Sequence, residues 1–78
     1  MMMNVKEVLE KNKEDSQEIK VIIQDSQEKT FLGDAKEVYE GPLAEVPARL
    51  YERSVLKISQ ICDSSVPERV GANVLVVE

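Results

Sequence analysis

The stretch "EIKVIIQD", residues 18–25, decides the fold, because it is the clearest β-strand in the chain. It contains four β-branched residues, which favour extended backbone: Ile19, Val21, Ile22 and Ile23. Side chains alternate along a strand, so Ile19, Val21 and Ile23 point to one side and Ile22 points to the other. We therefore predict a strand whose main apolar side faces a core.

A second strand is predicted directly after the first. The segment "DSQEK" (25–29) contains an aspartate and a serine that favour a turn, and "TFLGD" (30–34) resumes extended character. These patterns predict a hairpin with its turn at residues 25–29 and with Gly33 at a bulge or bend in the second strand. The next segment, "DAKEVYEG" (34–41), mixes helix formers with strand formers, and we interpret it as an extended or bulged continuation.

A helix is predicted before the first strand, over about residues 4–13. Asn4 can cap its N-terminus, and Glu7 stands three residues later, as in a capping box. The helix has one narrow apolar stripe, formed by Val5, Val8 and Leu9. Its polar face is most simply a solvated surface with i,i+4 ion pairs.

The segment "YEGPLAEVPARLYERSVLKI" (39–58) is interpreted mainly as a corner of the fold. Gly41 and Pro42 end the preceding strand, and Pro47 suits the first position of a helix because its missing N–H would be unpaired there. The letters "PARLYER" (47–53) therefore predict about two turns of helix. The apolar residues expected to pack together in this corner are Leu43, Val46 and Leu50.

The remaining sequence predicts two more strands separated by a loop. "VLKISQIC" (55–62) is β-branched and partly alternating, with Leu56, Ile58 and Cys62 on one face. "DSSVPERVGAN" (63–73) has no apolar period and predicts a mobile loop. "VLVVE" (74–78) has consecutive apolar residues, which predict a strand buried on both faces or one in a central position in the sheet.

Together these elements predict a single α+β domain over residues 1–78. It has a mainly antiparallel sheet of about four strands, an N-terminal helix on one face and a second short helix. A chain of 78 residues has a thin core and no room for an internal cavity that encloses a drug-sized ligand. We therefore expect the functional element to be a surface or an interface.

The charge of the chain argues against several classes of partner. Ten basic residues against fifteen acidic residues give a formal net charge of −5, and no basic run is present. Nucleic acids and anionic membranes both bind clustered Lys and Arg, so we expect neither as a partner. The single cysteine cannot form an intrachain disulfide, and no apolar run resembles a signal peptide or a membrane span. The expected compartment is the cytoplasm.

The sequence lacks the usual residues of catalytic, metal and cofactor sites. It has no histidine, which removes the commonest proton-transfer group and the usual activating base for Cys62 or a serine. One cysteine and no histidine cannot make a zinc site, and three isolated glycines cannot make a phosphate-binding loop. We therefore predict no metal, no cofactor and no enzyme activity. Cys62 is interpreted as a small core residue.

Arg49, Arg53 and Tyr51 are the candidate interaction surface. The two arginines lie one turn apart on the predicted helix and could receive an acidic partner or an anion. Local pairing with Glu45 and Glu52 is the stronger interpretation. On that interpretation both arginines face solvent, and replacing either with alanine changes the free energy of unfolding by no more than about 0.5 kcal/mol.

At "MNVKEVLEK", "YEGPLAEVPARLYERSVLKI" and "NVLVVE" the chain resembles a loose group of small phage and prophage proteins of unknown function. That group has an N-terminal helix, a strand, a Gly-x-x-x-x-Val/Ile-Pro corner, a short Leu-rich helix and two further strands. The matching positions here are Gly41, Val46, Pro47, Leu50, Val55 and Ile58. The resemblance implies an origin in a mobile element and carries over no functional residue.

Three functional hypotheses follow from these observations. The first is a non-enzymatic phage or prophage accessory protein that acts by contact with a protein partner or by self-association. The second is an acidic anti-defence inhibitor that imitates nucleic acid, which requires carboxylates concentrated on one face. The third is a small enzyme whose carboxylate site is assembled between subunits.

Overall fold

The structure, a computed structural model, describes residues 3–62, 64, 65 and 67–78. Within these residues, one α-helix and four strands follow in the order α1 (Val5–Lys11), β1 (Lys20–Lys29), β2 (Ala35–Pro42), β3 (Val55–Gln60) and β4 (Asn73–Val77). Short 3-10 turns cover Lys13–Asp15, Leu43–Glu45, Ala48–Leu50 and Pro67–Arg69. The predicted α+β fold with four strands is confirmed.

The four strands form one mixed sheet in the order β2-β1-β4-β3. The β1–β2 and β3–β4 pairs are antiparallel, as the prediction of a mainly antiparallel sheet requires. The central pair is parallel, and it joins Val21 to Asn73 and Asp25 to Val77. The predicted central position of the last strand is thereby confirmed.

The β1–β2 hairpin is confirmed, but the predicted position of its turn is wrong. Residues 25–29 belong to β1, and the chain turns at residues 30–34. Gly33 has a φ of 90°, a conformation that glycine adopts without steric cost, so it sits in the turn and not at a strand bulge. The turn-favouring residues 26–28 instead form an irregularity in β1, because the strand register jumps between Asp25 and Lys29.

Helix α1 begins where the capping box predicts. The Asn4 side chain accepts a hydrogen bond from the Glu7 backbone N–H at 2.9 Å, and the Glu7 carboxylate accepts one from the Asn4 N–H. The α-helix ends at Lys11, two residues before the predicted end, and a 3-10 turn follows. Its buried residues are Val5 and Val8, which confirms the predicted apolar stripe.

The corner between β2 and β3 packs as predicted but contains less helix. Leu43, Val46 and Leu50 are each buried in one core. The segment predicted as two helical turns forms a single 3-10 turn at Ala48–Leu50. Pro47 precedes this turn with a ψ of 141°, so its backbone is extended and the prediction that it occupies the first helical position is wrong.

Apolar side chains cover both faces of the sheet. The larger cluster contains α1, the corner and one face of the strands: Val5, Val8, Val21, Ile23, Leu43, Val46, Leu50, Val55, Leu75 and Val77. The smaller cluster, on the opposite face, contains Ile22, Ala72 and Val74. The predicted opposite directions of Ile22 and its neighbours Val21 and Ile23 are confirmed.

Strand β3 lies at one edge of the sheet, and most of it is exposed. Val55 is buried, but every residue from Leu56 to Gln60 is exposed. The strand ends at Gln60, so Cys62 lies beyond it and is also exposed. The interpretation of Cys62 as a core residue is therefore wrong, because Cys62 follows the end of an edge strand whose residues from Leu56 to Gln60 are all exposed.

The buried position of Leu50 generates a stability prediction. Leu50 is 2 % exposed, and truncation of a buried leucine leaves a cavity as well as losing apolar contact. We expect Leu50→Ala to lower the free energy of unfolding by about 2 to 4 kcal/mol, as measured by urea denaturation. A neutral result would contradict the assignment of Leu50 to the core.

Candidate interaction surface

The structure separates the three residues predicted as an interaction surface. Arg49 is exposed, and none of the described residues forms an ion pair with it. Tyr51 is half-buried and packs against the larger core cluster. The guanidinium of Arg53 is engaged elsewhere, because it pairs with Asp25 on β1. The two arginines therefore do not form a joint anion site, and the predicted pairing of Arg53 with a glutamate of the corner is wrong.

Arg53 connects three parts of the fold. Its Nη2 lies 2.7 Å from Oδ2 of Asp25, and its Nε donates to the backbone carbonyl of Glu78 after β4. Its own backbone carbonyl accepts a hydrogen bond from the Val5 N–H at the start of α1. The expectation that Arg53 faces solvent without a structural role is therefore wrong. Sequence reasoning missed Asp25 as its partner because the two residues belong to separate elements.

Asp25 is a buried carboxylate whose negative charge is balanced by the Arg53 guanidinium. Besides Arg53, its Oδ1 accepts a hydrogen bond from the Gln27 backbone N–H at 2.9 Å. The hydrogen bond from the Arg53 guanidinium, followed by that from Gln27, lowers the pKa of Asp25 against the opposing effect of burial. The irregularity in β1 at residues 26–28 supplies the second donor, so it serves to hold this carboxylate.

Arg69 makes a second set of ion pairs on the opposite face of the sheet. Its guanidinium binds Glu37 through two contacts of 3.0 and 2.9 Å, and it binds Glu40 through one contact of 2.9 Å. Lys20 adds a hydrogen bond to the Glu68 backbone carbonyl at 3.0 Å and an ion pair with Glu40. These contacts fasten the segment after β3 to strands β1 and β2, above the smaller core cluster. The part of the predicted mobile loop at residues 67–73 is therefore anchored, while Asp63 and Val66 lie outside the described residues.

The tip of the β1–β2 hairpin is the most exposed apolar feature of the described chain. Phe31 is fully exposed and Leu32 is 82 % exposed. Three hydrogen bonds of Thr30 hold the shape of the turn. The Thr30 N–H donates to the Asp34 carbonyl at 2.7 Å, and the Asp34 N–H donates to the Thr30 hydroxyl at 3.2 Å. The Thr30 carbonyl accepts from the Gly33 N–H at 2.9 Å. We call residues 30–34 the hairpin tip.

The hairpin tip was missed because Phe31 and Leu32 were interpreted as strand residues. The signal that could have found it is "GD" at residues 33 and 34, since glycine followed by aspartate favours a turn. A turn there places both apolar side chains at its apex, where no other part of a sheet can cover them. Their exposure thus follows from the position of the turn.

An open depression of about 720 Å³ lies beside the hairpin tip. Two carboxylates, Asp34 and Glu37, line it together with Gln24 and the two apolar residues of the tip. The Arg69 guanidinium lowers the pKa of Glu37 by hydrogen bonding. A general acid needs a raised pKa, and Glu37 does not have one.

Among residues 3–62, 64, 65 and 67–78, no group of three or more Asp, Glu or Cys side chains is arranged to hold a metal ion. No helix within these residues has the length and apolar character needed to span a membrane.

Comparison with protein-family models, curated proteins and solved structures finds no match to the chain. The resemblance to phage and prophage proteins therefore stays a prediction.

The contrast between the two arginines can be tested by alanine substitution. We expect Arg53→Ala to lower the free energy of unfolding by about 1.5 to 3 kcal/mol, the usual contribution of a hydrogen bond to a charged group. Arg49→Ala, on an exposed turn, is the matched control and should change it by less than about 0.5 kcal/mol. Urea denaturation of both variants measures the difference, and equal effects would contradict the role assigned to Arg53.

The lowered pKa of Asp25 predicts a loss of stability in acid. A carboxyl whose pKa is lower in the folded state than in the unfolded state contributes stability above its unfolded value, and that stability is lost as the pH falls through the folded pKa. We therefore expect the free energy of unfolding to decline below about pH 4, near the ordinary pKa of aspartate. Asp25→Asn should be less stable at pH 7 and should decline less steeply below pH 4. An unchanged slope in this variant would assign the acid sensitivity to other carboxylates.

Proposed function

We propose that the protein acts without chemistry of its own, by binding another protein through the hairpin tip. The observation that carries this proposal is the exposure of Phe31 and Leu32 at the apex of the turn. Soluble proteins expose single apolar residues commonly, but an adjacent exposed pair of this size on a projecting element is typical of a contact site. The proposed partner offers an apolar pocket for the two side chains.

The architecture of the hairpin supports a role in contact and not in stability. Strand β4 pairs with β1 only from Val21 to Asp25, so the part of the β1–β2 hairpin after Asp25 extends beyond the end of β4. Neither Phe31 nor Leu32 belongs to either core cluster. Burying a phenylalanine side chain removes about 150 to 250 Å² of apolar surface from water. In this protein the surface of Phe31 is exposed, so a partner can gain the free energy of burying it.

The turn geometry lowers the conformational cost of binding. The three hydrogen bonds around Thr30 hold the tip in one shape before a partner arrives, so less backbone freedom is lost on association. The charges along residues 26–36 also cancel, since Glu28 and Asp34 balance Lys29 and Lys36. The hairpin can therefore approach an uncharged apolar pocket although the whole chain carries −5.

The two alternative hypotheses have less physical support. Imitation of nucleic acid needs free carboxylates concentrated on one face, and four of the fifteen acidic residues are already paired with basic side chains: Asp25, Glu28, Glu37 and Glu40. An enzyme with paired carboxylates needs a general acid with a raised pKa, and Glu37, whose pKa is lowered, does not supply that group. The resemblance to phage and prophage proteins supplies the proposed setting, an accessory protein encoded by a mobile element.

A photocrosslinking experiment tests the hairpin tip. A photoreactive phenylalanine analogue is placed at position 31, and in a control protein at Glu10 on the exposed face of α1. In extract from the proposed bacterial host, we expect a discrete crosslinked product from position 31 only. An excess of unlabelled natural protein should abolish that product, because it occupies the same pocket.

The competitor carrying both Phe31→Ser and Leu32→Ser is the matched control. It should fail to abolish the product while its free energy of unfolding stays within about 0.5 kcal/mol of the natural protein, as expected for exposed positions. A product that both competitors remove equally, or the absence of any product specific to position 31, would contradict the proposal.

A further inference from the structure

We propose that a second copy of this chain pairs with the free edge of β3, and that the two copies form a weak symmetric dimer. This surface is separate from the hairpin tip, so the inference does not depend on the proposed function. Every residue from Leu56 to Gln60 is exposed, and two of them, Leu56 and Ile58, are large apolar residues. An exposed edge strand of this kind is a template for pairing with another chain.

The hydrogen-bond pattern identifies which backbone groups of β3 point away from β4. Of these, the Gln60 carbonyl accepts a hydrogen bond from the Cys62 thiol at 3.7 Å. The Ile61 N–H donates to the Ala72 carbonyl, and the Ile61 carbonyl accepts from the Gly71 N–H, so both groups point towards β4. Ser59 lies opposite Val74 in the same register, and alternate residues of an antiparallel strand point their backbone groups the same way. The backbone groups of Ile58 and Gln60 therefore point outwards, away from the sheet.

The free stretch has defined limits. At its start, the Val55 N–H donates to the Met3 carbonyl at 2.7 Å, and Asn4 forms a bridge with Ser54. Met3 and Asn4 thus cover the edge at Ser54 and Val55. Among residues 3–62, 64, 65 and 67–78, none pairs its backbone with the outer edge of β3 from Leu56 to Cys62, and Ser59 is the midpoint of this stretch.

This midpoint gives the register of the proposed dimer. A two-fold axis at Ser59 places Ile58 opposite Gln60 of the second copy, and the reverse pair follows by symmetry. The two pairs form four backbone hydrogen bonds between outward-pointing groups. Leu56 then lies opposite Cys62 of the second copy, and each copy's covered residues fall beyond the paired stretch.

Charge also favours this arrangement at β3. Lys57 is the only charged residue from Leu56 to Cys62, and the register places it opposite Ile61 of the second copy, so no like charges face each other. The opposite edge, β2, carries Lys36, Glu37 and Glu40 and ends at Pro42. Charges and proline are features that prevent edge pairing, so β3 is the edge suited to a second copy.

The small size of the contact sets the strength of the dimer. Pairing over the seven open positions buries less than the roughly 1,200 Å² of a standard interface. The net charge of −5 on each copy adds a long-range repulsion that salt screens. We therefore expect a dimer that forms at high protein concentration and strengthens with ionic strength.

Disulfide trapping tests the register directly. In a Cys62→Ser background, Ser59→Cys places two cysteines across the axis at a Cα separation of about 4.5 Å, within disulfide range. In the control, Lys57→Cys, the two cysteines are four residues out of register, which is about 13 Å and too far. Under mild oxidation we expect the Ser59→Cys protein to form covalent dimer at least about tenfold faster than the control, since only its geometry allows the bond.

Sedimentation equilibrium provides the second readout. The weight-average mass of the natural protein should rise above the 8.8 kDa of one chain as concentration increases into the millimolar range. Ile58→Lys should abolish the rise, whereas Val70→Lys should retain it, although the two positions are similarly exposed at 54 % and 51 %. A natural protein that stays monomeric, or equal trapping rates for the two cysteine variants, would overturn the proposal and leave the edge to a foreign strand.

Discussion

The parallel pairing of β1 with β4 is the constraint on which the rest of the structure depends. These two strands form the centre of the sheet, and each is flanked by one antiparallel edge strand. Parallel neighbours cannot be joined by a tight turn, so the chain between them must travel around the sheet before it returns. The corner around Leu50 packs on one face of the sheet, and the anchored segment around Arg69 lies over the other. Both faces of the central pair are closed in this way.

Two arginines fasten the connecting segments to this central sheet. Arg53 joins the corner to Asp25 and to the end of β4, and Arg69 joins the segment before β4 to Glu37 and Glu40 on β2. In each case a planar guanidinium contacts more than one acceptor, which a lysine ammonium does not reproduce with the same geometry. These cations therefore hold the fold together, and the apolar hairpin tip and the β3 edge remain as the surfaces suited to contact.

The periodic part of the fold could be predicted from the sequence, and the irregular part could not. Val21, Ile23 and Leu50 are buried where the apolar pattern places them, because side-chain periodicity depends only on local backbone. The sequence predicts the hairpin turn too early, because residues 26–28 have turn-forming side chains. In the structure these residues form an irregularity in β1, and the Gln27 N–H donates a hydrogen bond to Asp25.

The candidate surfaces were harder to predict because they depend on distant parts of the chain. The partner of Arg53 follows from the tertiary placement of β1, and no spacing in the sequence encodes it. The exposure of Leu56 and Ile58 follows from strand order, since the same "VLKISQIC" pattern would be buried in a central strand. Strand order in turn depends on pairings between residues far apart in sequence, which periodicity does not report.

The parallel pair also determines the order of events in folding. Val21 must find Asn73 across most of the chain, and such distant pairings form slowly because the closing of a long loop costs entropy first. During synthesis the β1–β2 hairpin can form before β4 has emerged from the ribosome. Until then, the apolar residues from Val21 to Ile23 lie on an unpaired strand edge, which is an aggregation hazard. The pairing of β4 with β1 therefore removes this exposed edge and completes the centre of the sheet.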